Sequence, residues 1–213
     1  MNFDYLLRRP DRVLEFTRQH IVLTLLALGL ALLVAIPLGV IAARYPKLTT
    51  PTLAILGAIY TVPSLAALAF LIPSLGIGRL PAVLVLAAYA QLFLVRNIVA
   101  GLRGVDGATI EAARGMGMTP WQVFAKVRWP LALPVMIAGL RTATVTTISL
   151  ATVAAWIDAG GLGTLLFEGI TRDDPNRILA GTVAIAGLAL PADALLRLAE
   201  RMTAAERARR SAR

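Results

Sequence analysis

The chain has 213 residues, 58% of them hydrophobic and 15% charged, with a mean hydropathy of +0.75; that is too little polar surface for an ordinary soluble domain, and the composition is that of a membrane protein. A net charge of +9 points to nucleic acid only in a soluble chain, and here much of the excess, Arg197, Arg201, Arg207, Arg209, Arg210 and Arg213, crowds the C-terminus beside an apolar segment, where a basic flank faces anionic lipid. The absence of cysteine excludes disulfides and thiolate metal sites.

Residues 21–43, IVLTLLALGLALLVAIPLGVIAA, are long enough at about 1.5 Å per residue to cross a hydrocarbon core of about 30 Å. A cleavable secretory signal has an apolar core of only about 7–15 residues, so this segment is expected to be the first span. His20, the only histidine, stands where that span begins and, with no partners to build a metal cluster, reads as an interfacial residue. The second span is placed at 53–72 with Pro63 inside the helix, and the third at 80–102 with Arg96 and Asn97 towards its far end. A polar stretch then interrupts the apolar pattern at 103–130. The fourth span follows at 131–157 and the fifth at 178–196. The expectation is an all-α membrane protein of five spans, in which Gly29, Pro37 and Pro63 serve as close contacts or kinks between neighbouring helices. Residues 1–200 form its transmembrane domain and 201–213 a basic tail.

Placing the insert at 103–129 in the cytoplasm puts Arg44, Lys47, Arg103, Arg114, Lys126, Arg128 and the six C-terminal arginines on one side, twelve positive residues against seven opposite: Arg8, Arg9, Arg12, Arg18, Arg79, Arg172 and Arg177. The positive-inside rule therefore favours an external N-terminus and a cytoplasmic C-terminus, against the pull of four N-terminal arginines that must then stay outside.

Within the insert, Asp106 is expected to cap a helix through Ile110, Glu111, Ala112 and Ala113, with Gly115 and Gly117 supplying the backbone freedom to stop it. Thr119-Pro120-Trp121-Gln122 fits a capping box with proline at the first helical position, opening a second short helix that Pro130 limits. Between two membrane spans this helix, turn, helix has no room to enter a DNA groove, so nucleic acid is not an expected partner. An amphipathic loop lying on the membrane surface is the competing reading.

At these residues the chain resembles the permease subunits of binding-protein-dependent ABC importers. Their signature is Glu-Ala-Ala, three residues, Gly, nine residues, then Ile-x-Leu-Pro; here Glu111, Ala112 and Ala113 lead over the required gaps to Gly117 and Pro130. Val127 replaces the isoleucine, and Trp129, a larger departure, replaces the leucine. The resemblance implies a type I importer transmembrane domain whose loop, including Gly115, is a coupling helix docked into a groove on a cytosolic ATPase. It extends to Thr61-Val62-Pro63-Ser64-Leu65-Ala66, Val95-Arg96-Asn97, Glu111 to Met118 and Ala159-Gly160-Gly161-Leu162-Gly163, which look like the branch importing glycine betaine, choline and carnitine. By the same analogy Gly160, Gly161 and Gly163 lie near an external gate, although a plain flexible loop fits those residues as well.

The chain has no phosphate-cradling G-x-x-x-x-G-K-[ST] loop and no nucleophile-base-orienter set. It is therefore expected to be a transport subunit without a cofactor of its own, ATP and magnesium residing on a partner ATPase dimer. A second permease subunit, an extracytoplasmic solute-binding protein and lipid complete the expected partners, in a bacterial cytoplasmic (inner) membrane.

Inside the membrane, Thr142, Thr146 and Ser149 share one face of the fourth span, with Thr152 beside them; they line a pathway or act as packing glue. Arg141 must be paired or sit at the interface, because a charge at bilayer centre costs about 2.5–3.5 kcal/mol on insertion scales; the interfacial reading is preferred, since 130–139 continues directly from the insert. Quaternary ammonium ions are held by aromatic faces, yet Tyr60, Phe70, Tyr89, Phe93 and Trp156 are scattered singly. Tyr60, Pro63, Ser64 and Tyr89 join the threonine face as candidate pathway residues. Alternatives left open are a permease for another small solute such as an amino acid, an ion-coupled secondary transporter or channel, and a membrane scaffold that transports nothing.

Overall fold

The computed structural model describes residue 5 and residues 8–211, with side chains up to residue 204, and among these there is no strand. Helix α1, Pro10–Arg44, starts on a proline followed by Asp11 and stops where Tyr45 precedes Pro46, a position from which proline excludes the helical conformation. α2, Pro46–Thr61, and α3, Ser64–Leu75, are separated by Val62 and Pro63, both extended. α4 runs Arg79–Arg103, α5 Gly107–Gly115 and α6 Pro120–Val123, then a π-helical turn at Phe124–Arg128 leads into α7, Trp129–Ala154. α8, Gly163–Thr171, is a short helix that chain order alone did not reveal, and α9 is Pro175–Ser211.

Among the described residues four helical stretches are long and apolar enough to cross a membrane: Pro10–Arg44, Arg79–Arg103, Pro120–Ile157 and Pro175–Ala204. The second expected span, 53–72, is different. α2 and α3 qualify only together and are bent by 89° at their junction, so Pro63 does not sit within a helix as expected but marks a break. The cause is local, since proline donates no hydrogen bond and forces the preceding Val62 out of the helical region. The first and last spans also exceed the expected 21–43 and 178–196. α9 continues through 201–211, so the basic tail begins as an extension of the last helix; the side chains of Arg207, Arg209, Arg210 and Arg213 lie outside the described residues.

α4 is the buried centre, packed between α1 and α7. Small residues set the spacing: a side chain at Gly39 would meet Ile98 Cγ2 at 2.6 Å, and one at Gly101 would meet the Ala132 carbonyl oxygen at 2.9 Å. Such close approach is how membrane helices gain dispersion contacts without a hydrophobic driving force. Gln91, buried on α4, donates to the Ala31 carbonyl at 3.0 Å, tying α4 to α1.

The bundle has two distinct ends. At one, the Arg103 guanidinium donates to the Ala42 and Ala43 carbonyls and to Thr49 Oγ1, joining the α1–α2 corner to the insert. At the other, the Gly78 amide donates to the Ile157 carbonyl at 2.7 Å, and the Gly160–Leu162 turn meets Gln19 and His20.

Candidate functional site

The insert folds on its own hydrogen bonds. Asp106 Oδ2 accepts from the Thr109 amide at 3.1 Å and so caps α5. At the other end, the Met118 amide reaches the Ala113 carbonyl and the Gly117 amide the Arg114 carbonyl, the paired closure of a helix on a left-handed residue. Gly117, with φ +81°, is that residue; Gly115 is merely the last helical one. Thr119 Oγ1 then accepts from the Gln122 amide while Gln122 Oε1 accepts from the Thr119 amide, the expected capping box with Pro120 behind it. A small apolar cluster of Val105, Ile110, Ala113 and Val123 holds the two helices together.

Pro130 does not limit the second helix. The stretch from Pro120 to Ile157 is one continuous 38-residue helix, and Pro130 lies in the first turn of α7. The widened turn before it supplies the reason: Trp129 donates to the Phe124 carbonyl, five residues back. An extra residue in the turn relieves the clash that proline's ring makes with a carbonyl four residues earlier. Thus Val127, Trp129 and Pro130, half-buried, join the insert directly to a membrane helix.

On the outer surface of the insert, Glu111, Ala112 and Gly115 are exposed, and Met116 and Trp121 are 71% and 72% exposed. Ala113 is buried instead, beneath that surface. Sequence reasoning missed Met116 and Trp121; two large apolar side chains flanking small residues on a polar insert were the available signal.

The opposite end is built otherwise. Gly160 and Gly161 both have positive φ, 78° and 86°. The Gly161 amide donates to Gln19 Oε1 at 3.0 Å, and the Leu162 amide to His20 Nδ1 at 3.2 Å. His20 Nε2 lies 2.9 Å from the Ile148 carbonyl. Since a carbonyl only accepts and an amide only donates, His20 is neutral with its proton on Nε2. His20, expected at the interface, is fully buried within that end of the bundle, and the 160–163 turn is not a loose loop. Gly163 packs so closely on the Thr152 backbone that any side chain there would collide with its carbonyl oxygen.

Within the membrane, three aromatics scattered in sequence come together. Tyr60 packs edge-on with Tyr89, centroids 5.8 Å apart, and with Phe93 at 5.2 Å. Tyr89 donates its hydroxyl to the Val62 carbonyl at 2.5 Å, filling the valence that the break at Pro63 leaves open. Beside them, a cavity of about 710 Å³ is lined by Ile59, Val62, Ala66, Phe70, Leu84 and Tyr89, among others. Pro63 is exposed and Ser64 half-buried at the break.

Thr142 and Ser149 are exposed and Thr146 is half-buried, whereas the face of α7 packed into the bundle carries Ala143, Thr144, Thr147, Ile148 and Ala151. The threonine face therefore does not pack between helices of this chain. Arg141, preferred above as simply interfacial, is paired: its Nε is 3.4 Å from Asp193 Oδ1 and its Nη1 3.1 Å from Glu200 Oε2, both on α9. It also lies about 24 Å along the helix from Ile157, towards the insert side of a core about 30 Å thick. Among the described residues no group of His, Asp or Glu is arranged to hold a metal ion.

Comparison with known proteins matches this arrangement. The carnitine transport permease protein OpuCB of Listeria monocytogenes is 44% identical over 88% of this chain and 86% of its own length. The choline transport system permease protein OpuBB of Bacillus subtilis is 42% identical over 92% and 91%. Among solved structures, an inward-facing MetNI methionine ABC transporter superposes with a TM-score of 0.82 at 21% identity, covering 92% of this chain and 98% of that one, which establishes the shared fold. With residues 35–204 matching the family described as binding-protein-dependent transport system inner membrane component, the chain belongs to that family of ABC importer permeases.

Proposed function

We propose that this chain forms the membrane passage of an ATP-driven importer for quaternary ammonium osmoprotectants of the glycine betaine, choline and carnitine type. The observation that carries the reading is the similarity, at 42–44% identity across about nine-tenths of each chain, to permeases named for carnitine and choline. The likeness to methionine and amino-acid transporters, at 21% identity, speaks only to the fold.

In this proposal Glu111, Ala112, Gly115 and Gly117 face a groove on a cytosolic ATPase, with Ala113 supporting that surface from below. The carboxylate offers an acceptor, the small residues allow close approach, and Met116 and Trp121 supply apolar contact. Because α6 runs without interruption into α7, a displacement of the insert is delivered to the membrane as motion of one rigid rod. Two such chains, two ATPases and an external binding protein complete the machine, with the insert and C-terminus in the cytoplasm. Tyr60, Phe93 and the Thr142–Thr146–Ser149 face, all turned from the chain's own core or only partly within it, line the passage between the two permeases.

Reconstitution tests this. With the ATPase, the binding protein and ATP, proteoliposomes should accumulate labelled choline, carnitine or glycine betaine but not methionine. Accumulation without any ATPase, or of the amino acid alone, overturns the proposal.

A further inference from the structure

At the insert end, three adjoining cavities of about 580, 430 and 290 Å³ share Val40 and Phe124 and form one groove between α1 and the helix entering α7. Its inner part is apolar, lined by Ile36, Pro37, Val40, Ile41, Phe124 and Trp129 among others. Its mouth carries Arg44, Arg103, Arg114 and Arg128, and no residue lining any part of it is acidic.

Among the described residues these arginines lack counter-charges. Arg103 is spent on two carbonyls and a hydroxyl, and Arg44 lies over the Tyr45 ring. Arg128 has its Nε buried with no acceptor. None of the four pairs with a carboxylate among the described residues. Several positive charges lining one cleft with no carboxylate among them attract an anion, so the groove is suited to receive one.

We propose that this groove binds an anionic phospholipid, its phosphate among Arg44, Arg114 and Arg128 and one acyl chain lying along Ile36, Pro37, Val40 and Ile41 against Phe124 and Trp129. Depth favours lipid over the cytosolic ATPase. Ile36 lies about 12 Å along α1 from Arg44, so the apolar part runs into the hydrocarbon layer, where a water-soluble subunit does not reach. A free anion has no use for that part. Basic pockets between membrane helices are a known setting for anionic headgroups.

The test is native mass spectrometry of the full-length chain in detergent, titrated with phosphatidylglycerol, phosphatidylcholine and inorganic phosphate. Phosphatidylglycerol should be retained preferentially, and R44Q and R128Q should each lower its retention about fivefold. I36W, which fills the apolar part and leaves every arginine in place, should also lower it, while R172Q at the other end of the bundle should not. Thermal unfolding of each variant separates lost binding from lost fold. Equal retention of both lipids, or undiminished retention in R44Q, R128Q and I36W, overturns the proposal. So does phosphate binding as tightly as phosphatidylglycerol, which marks a free-anion site, or variants that keep the lipid but lose a co-purifying protein, which mark a protein dock. Transport is not measured, so the outcome is independent of the solute proposal.

Discussion

At the insert end the turns close on near neighbours: Asp106 with Thr109, Ala113 with Met118, Thr119 with Gln122. At the opposite end the Gly160–Leu162 turn is held by Gln19 and His20, 142 residues away in sequence. A locally closed element keeps its shape without the rest of the chain and leaves Glu111, Met116 and Trp121 exposed, which suits a surface that docks elsewhere. A turn fixed by distant partners is instead part of the chain's own packing, and disturbing it disturbs the bundle. Substitutions at the two ends should therefore separate stability from coupling.

The largest loss of stability is expected from Gly163→Val, which drives a side chain into the Thr152 backbone; overpacking of this kind costs about 1–3 kcal/mol and more where backbone must move. Thermal unfolding in detergent should show the protein largely misfolded. His20→Ala comes next, leaving the buried Leu162 amide without its acceptor at about 1–3 kcal/mol for a buried group left unsatisfied. A wild-type melting temperature in H20A would break the contrast between the two ends. Gly117→Val should cost about 1–2 kcal/mol, the penalty for a left-handed non-glycine residue, confined to the insert: hydrogen exchange should rise at 113–122 and stay unchanged in α4. Tyr89→Phe, which strands the Val62 carbonyl, should cost only about 0.6 kcal/mol, as membrane-buried hydrogen bonds do. Slight as it is, that loss should be measurable by denaturant titration.

Much of the insert was legible because its signals are local. Asp106, the capping box and the left-handed glycine each act within a few residues, and the long apolar run from Leu80 to Leu102, interrupted only by Gln91, Arg96 and Asn97, marked α4. Pro130 misled because proline just inside a helix start and proline at a helix stop look alike until the preceding π-helical turn is seen. His20 was unreadable for a different reason, its partners lying on α7 and beyond it. Two signals were available and unused. Asp193, Arg197 and Glu200 share a face of the last helix just beyond its apolar run 178–192, a stripe that implies a charged partner such as Arg141. Tyr89 and Phe93, four residues apart on α4, likewise present one aromatic face on which Tyr60 packs.

In the proposed function the surface of α5 passes the action of an ATPase to the membrane helices. In proteoliposomes holding the assembled importer, the measurement is solute accumulated per ATP hydrolysed for Glu111→Trp and Gly117→Val beside wild type, at matched membrane insertion. Uptake should collapse while the permease inserts normally and the ATPase still turns over. Uptake at the wild-type ratio in both variants would contradict it.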